Sequence, residues 1–193
     1  MTAVSTPFGL KPVGLKGGQV WSQADILYPI ASNYGTAIYY GDPVVMSGGN
    51  VTKAAYNYST NGTIGVFLGC KYTDPIIKQP RWSQYYPAST VASDIQAFVA
   101  FDPDTVFIGQ VDGPVTAARL NLNVGFSNTL TTGNTITGVS TGALDHTLLG
   151  TSTQQFRIVG LHETPDNAWG DAFTIVRLVH NFGYHQWMSA TGA

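Results

Sequence analysis

Short apolar runs, each closed within a few residues by a Gly, Pro, Asn or Asp cluster, restrict this chain more than any other feature. Candidate strands read in this way are Gln19–Gln23, Ile26–Ala31, Ala37–Tyr40, Val44–Met46, Thr63–Tyr72, Ile95–Phe101, Thr105–Val111, Phe156–Leu161 and Ala172–His180. Gly41-Asp42-Pro43, Gly48-Gly49-Asn50, Asp102-Pro103-Asp104 and Gly113-Pro114 punctuate them. Runs of this length between turn signals read as strands. In one of them Ile95, Ala97 and Val99 share a face, as the period of two in a strand requires. Helical signals are scarce: Thr116 is placed to cap a single turn through Leu120, and no other stretch has an apolar 3.6-residue period. The expectation is an all-β chain, a single barrel- or sandwich-like domain of short strands with very little helix. No repeat of fixed period stands out.

Residues 1–18 read as an extended N-terminal arm, and 19–193 as a β-rich body with a polar hairpin or loop region at about 127–155. Pro7 and Pro12 disfavour helix in the arm, and its glycines loosen the backbone. Phe8, Leu10, Val13 and Leu15 are nevertheless apolar, so the arm is expected to order against a neighbouring molecule.

Composition sharpens this. Charged residues are 10% of the 193, against roughly 25% in soluble proteins, and Glu163 is the single glutamate. Charge keeps protein surfaces apart, so a surface so poor in it suits contact with other protein. The nine Lys and Arg are scattered and the net charge is −2, which argues against nucleic acid as a partner. No apolar run approaches the roughly 20 residues of a membrane span. The first residues lack the charged and apolar regions of a secretory leader. Cys70 is the only cysteine, so an internal disulfide is impossible.

Candidate chemistry is thin. His162, Glu163 and Asp166 are near in sequence, but Thr164-Pro165-Asp166-Asn167 reads as a turn after a strand. His180 and His185 lack the spacing of a zinc-binding helix. Asp102 and Asp104 resemble part of a calcium loop without its Gly and terminal Glu, and read as a turn. Cys70 has no adjacent base and reads as core. There is no nucleophile elbow and no phosphate-binding glycine loop. No catalytic residue, metal ligand or cofactor is expected. Aromatic residues are 12% of the chain, and Tyr and Trp are enriched at interfaces. The expected contacts with a partner or another subunit are therefore Phe8, Leu10, Val13, Tyr39, Tyr40, Tyr85, Tyr86 and Trp187.

Several short motifs occur in an order that resembles a family of tailed-bacteriophage capsid decoration, or cement, proteins. They begin with Thr6-Pro7-Phe8-Gly9-Leu10-Lys11-Pro12-Val13, Gly41-Asp42-Pro43-Val44, Gly65-Val66-Phe67-Leu68-Gly69 and Tyr86-Pro87-Ala88. Asp102-Pro103-Asp104-Thr105-Val106-Phe107, Leu120-Asn121-Leu122-Asn123, Leu144-Asp145, Arg157-Ile158-Val159-Gly160-Leu161, Pro165-Asp166-Asn167 and Val179-His180-Asn181 follow. The resemblance spans most of the chain and rests on shared order, each motif being weak alone. It implies a β-barrel-like body without catalysis, made in the host cytoplasm and carried on the outer surface of the capsid. It also implies contacts to the major capsid protein and self-association, as a trimer first and a dimer second. Other readings are a head-fibre, tail or receptor-facing virion protein, and a carbohydrate-binding β domain.

Overall fold

A computed structural model describes residues 4–22, 27–54, 62–127, 132–181 and 185–188. Expectations that fall on 1–3, on Gln23 and Ile26, or on 128–131 of the polar region lie outside these residues. The chain is all-β: two antiparallel sheets with three single-turn 3₁₀ segments among the described residues.

One sheet has five strands in the order β1 (Lys11–Leu15), β8 (Thr105–Gln110), β11 (Ile175–His180), β10 (Phe156–Leu161) and β9 (Asn123–Val124). The other follows the path β2 (Leu27–Pro29), β7 (Gln96–Ala100), β5 (Gly65–Thr73), β3 (Pro43–Ser47) and β4 (Asn50–Lys53), with β6 (Pro80–Ser83) also paired to β5. β7 runs along one edge of β5. The opposite edge is shared, with β3 on Gly65 and Val66 and β6 on Cys70 to Thr73. The register of β5 on β7 shifts between Phe67 and Gly69, so a bulge separates the two halves.

The two sheets stack as a sandwich over one shared apolar layer. Phe107, Phe156, Ile158, Val176 and Leu178 of the first sheet meet Val66, Leu68 and Ala100 of the second. The far face of β5 carries Phe67, Cys70 and Tyr72 into a second cluster with Tyr28, Ile38, Val44, Tyr86, Ile95 and Val99. A strand covered on both faces must read as a continuous apolar run, which is why 63–72 lacks alternation.

The arm is corrected in one respect. Leu10 is fully buried in the chain's own inter-sheet core. Lys11 to Leu15 pair with β8, so this part of the arm bonds to the chain's own body. Without them the β8 edge would expose a row of unpaired amides and carbonyls. The described part of the polar region contains the expected turn. Asn134 accepts from Gly138 N at 2.7 Å, and its side chain caps Ile136 N at 2.8 Å. The expected short turn after Thr116 is the 3₁₀ segment Ala117–Arg119, with no side-chain cap from Thr116. Strands β4, β6 and β9 were not legible in the sequence.

Leu10→Ala should destabilise the fold by about 2–5 kcal/mol, the range for a buried Leu that leaves a cavity. Val13→Ala, three residues along and 48% exposed, should shift stability by less than about 0.5 kcal/mol. Denaturant unfolding of the two variants checks this. Equal, small effects would mean that the arm does not belong to the core.

Candidate functional site

Asp42 organises the joint between the sheets. It follows Gly41, whose φ of +92° favours glycine, and it is fully buried. Its Oδ2 accepts from Tyr39 N at 2.8 Å and lies 2.8 Å from Lys53 Nζ of β4; its Oδ1 accepts from Ser140 Oγ at 2.6 Å. Lys53 also lies over the Tyr39 ring, 5.5 Å from its centroid. Backbone bonds converge on the same place: Leu10 N to Gly41 O (2.9 Å), Gly41 N to Phe67 O (2.8 Å), Phe67 N to Asp42 O (2.9 Å) and Gly9 N to Gly142 O (3.0 Å). A Cβ on Gly9 would lie 2.5 Å from Gly41 O, so these two glycines allow the N-terminal segment to pass. The hub is architectural: its polar groups bond one another.

The solvent side of the five-stranded sheet is different. A shallow groove of about 740 Å³ opens there, lined by Val13, Val106, Val159, Leu161 and Val179, with Arg177 among them. Val159 is 45% exposed. His162 and Glu163 stand at its end. On the second sheet Trp82, 69% exposed, stacks on Phe98 with ring centroids 5.2 Å apart. Lys71, Arg81, Asp94 and Gln96 flank it around a groove of about 390 Å³. The Thr73 hydroxyl and amide hold the Asp94 carboxyl below its ordinary range.

The expected contact residues divide accordingly. Val13 lines the exposed groove, and Trp187 is exposed with its ring 4.8 Å from Phe101. Phe8 is half-buried with Lys11 Nζ 4.4 Å from its centroid. Tyr40 and Tyr85 are half-buried. Leu10, Tyr39 and Tyr86 are corrected: Leu10 and Tyr86 are fully buried within the chain, and Tyr39 is buried but for a small part of its surface. Tyr86 donates its hydroxyl to Tyr34 O at 3.2 Å, and Tyr39 stacks on Tyr85 at 5.4 Å. Paired aromatics announce a β segment but do not tell which ring turns inward.

The candidate chemical groups fall mostly into turns. Asp102 Oδ1 accepts from Asp104 N at 2.8 Å, and Asp104 pairs with Lys16 at 3.2 Å. Asn167 bonds back to Thr164 O and uses its side chain on His162 O and Ile175, closing the end of the β10–β11 hairpin. Cys70 donates weakly to Tyr85 O, and burial pushes its thiol up to about 12, so it is an unreactive core group. Sequence reading missed one cluster. Asp112, Asp145 and His146 bring their ligand atoms within 4.8 Å of one another, the only such group of three or more among the described residues. The residues are far apart in sequence apart from Asp145-His146. Much of their capacity is used: Asp112 Oδ1 bonds His146 Nδ1 (2.8 Å) and N (2.9 Å), while Asp145 Oδ1 bonds Thr147 N (2.7 Å) and Oγ1 (2.6 Å).

The chain matches no family model, and no curated protein or solved structure is similar to it.

Asp42→Asn leaves the Lys53 ammonium buried beside a neutral amide. Breaking a buried pair in this way should cost about 3–5 kcal/mol. Thermal unfolding of Asp42→Asn against Asp94→Asn, an exposed carboxylate, measures it. Equal melting temperatures would show that the hub is dispensable.

Proposed function

We propose that this chain is a non-enzymatic structural protein of a tailed-bacteriophage virion. It binds the outside of the capsid and cements neighbouring capsomers of the major capsid protein, self-associating as a trimer first and a dimer second. The observation that carries the reading is the apolar outer face of the five-stranded sheet, around Val13, Val106 and Val159, on a chain with only 10% charged residues. An uncovered apolar sheet face rimmed by polar groups fits a protein–protein contact. The ordered motifs that resemble capsid decoration proteins support the same reading. A shell bearing many copies multiplies each weak contact by avidity.

Contact of this kind depends little on ion pairs. Raising salt from about 0.1 to 1 M cuts the screening length from roughly 10 to 3 Å and should release little bound protein. Val13→Asp with Val159→Asp places charge on that face without touching the core. Mixed with undecorated capsids, the double variant should need at least about tenfold more protein for half occupancy, a loss of about 1.4 kcal/mol. Unchanged occupancy, or release of the native chain by salt alone, would contradict the reading.

A second reading, a carbohydrate-binding β domain, is favoured by Trp82, held on Phe98 among Lys71, Arg81, Asp94 and Gln96. A glycan panel decides it: binding abolished by Trp82→Ala supports this alternative, and no binding to any glycan rejects it.

A further inference from the structure

Residues Gln186–Met188 form a single 3₁₀ turn after His185 and reach across to the other sheet. Gln186 brackets one residue of β3: its Oε1 accepts from Met46 N at 2.7 Å and its Nε2 donates to Met46 O at 3.2 Å. Gln186 N donates to Thr63 O at 3.0 Å, and His185 bridges Thr63 in parallel register. The Trp187 ring rests on Phe101, just beyond β7. This short segment thus ties the chain beyond β11 to three parts of the six-stranded half of the molecule.

Two histidines sit beneath it. His180, the last residue of β11, and His185 are 2% and 0% exposed, with ring centroids 4.8 Å apart and planes at 80°. His180 Nδ1 lies 3.3 Å from Thr63 Oγ1, so Thr63 touches both the histidine pair and Gln186. His185 Nδ1 accepts from Trp187 N at 3.2 Å, which places the proton of the neutral ring on Nε2. Among the described residues, Nε2 of each ring is buried without a hydrogen bond of ordinary geometry, although the carbonyls of Phe101 and Ile64 lie near His185. A second proton on His185 must go to Nδ1, where it would turn the acceptor for Trp187 N into a donor facing a donor.

We propose that His185–Met188 is an acid-released clasp between the two sheets, opened by protonation of the buried His180–His185 pair. Among the described residues, Lys16 and Asp102 are the other charged groups that bear on the pair. Lys16, in the turn after β1, opposes a charge on His180, and so does His185 itself. Asp102, in the β7–β8 turn, and the carbonyls of Phe101 and Ile64 favour a charge on His185. Lys16 is itself paired with Asp104. Burial outweighs these influences and lowers both imidazoles, His180 the more. When the clasp opens, each ring regains an ordinary pKa of about 6.5. The open form then binds more protons, so the clasp is fully held above about pH 6.5 and weakens as pH falls below it. At pH 5.5 a histidine kept neutral by the closed form favours opening by at most about tenfold, and the pair by at most about a hundredfold.

Hydrogen exchange of the full chain at pH 7.5 and 5.5, corrected for the intrinsic rate, tests this. The amides of Met46, Gln186 and Met188 should lose protection by about ten- to a hundredfold at pH 5.5, while those of β5 and β7 hold. His185→Gln keeps an acceptor but cannot titrate, and should reduce the pH effect to the share left to His180, at most about tenfold. If that variant does not fold, imidazole titration of the native chain by NMR replaces it, with midpoints that coincide with the loss of protection. Unchanged protection at pH 5.5, equal loss throughout β5 and β7, a folded His185→Gln with the full pH effect, or imidazole midpoints apart from the opening would overturn the proposal.

Discussion

A single buried carboxylate holds the joint on which the sandwich depends. Asp42 sits where four chain segments meet, and its two oxygens are shared by Tyr39 N, Lys53 Nζ and Ser140 Oγ. Removing such a charge from water is costly, and it is tolerated only where donors surround it. Those donors come from residues 39, 53 and 140, so the cost is met only when all three segments are in place. The segment at Gly9 and Leu10 joins through backbone bonds to Gly41 and Gly142. The hub thus couples the N-terminal strand, the second sheet and the described polar hairpin into one arrangement.

With the N-terminal strand secured there, the five-stranded sheet gains its outer strand, and its inner face closes over Val66 and Leu68 of β5. Among the described residues, an open groove lies on its outer face. Val13, Val106 and Val159 line that groove, while β5 of the other sheet is buried on both faces. The scarcity of charge is a property of composition, and the location of the groove is a property of topology.

The fold class was legible because strand length and turn chemistry are local. Asp102-Pro103-Asp104 lies in the turn before β8, and the strong runs became β5, β7, β8, β10 and β11. β6 was missed because Pro80, Arg81 and Trp82 carry no alternation; the strand exists by pairing with β5. The arm misled because apolar residues among prolines and glycines look the same whether they meet a neighbour or their own body. Of the candidate contact residues, Val13 and Trp187 are exposed, while Leu10, Tyr39 and Tyr86 turn inward, which depends on pairing at a distance. The Asp42 hub read as a plain turn triplet, since Lys53 and Ser140 are brought to it only by tertiary structure.

The proposed function has a charge-poor sandwich, closed internally by Asp42, meet a phage capsid with the open face of its five-stranded sheet. A reconstruction of capsids saturated with the purified chain tests that claim most directly. The predicted result is density for the sandwich on the outside of the shell, at junctions between capsomers, with the groove around Val13 and Val159 against the major capsid protein. Bare capsids at saturating protein, or bound chains with that face turned to solvent, would contradict it.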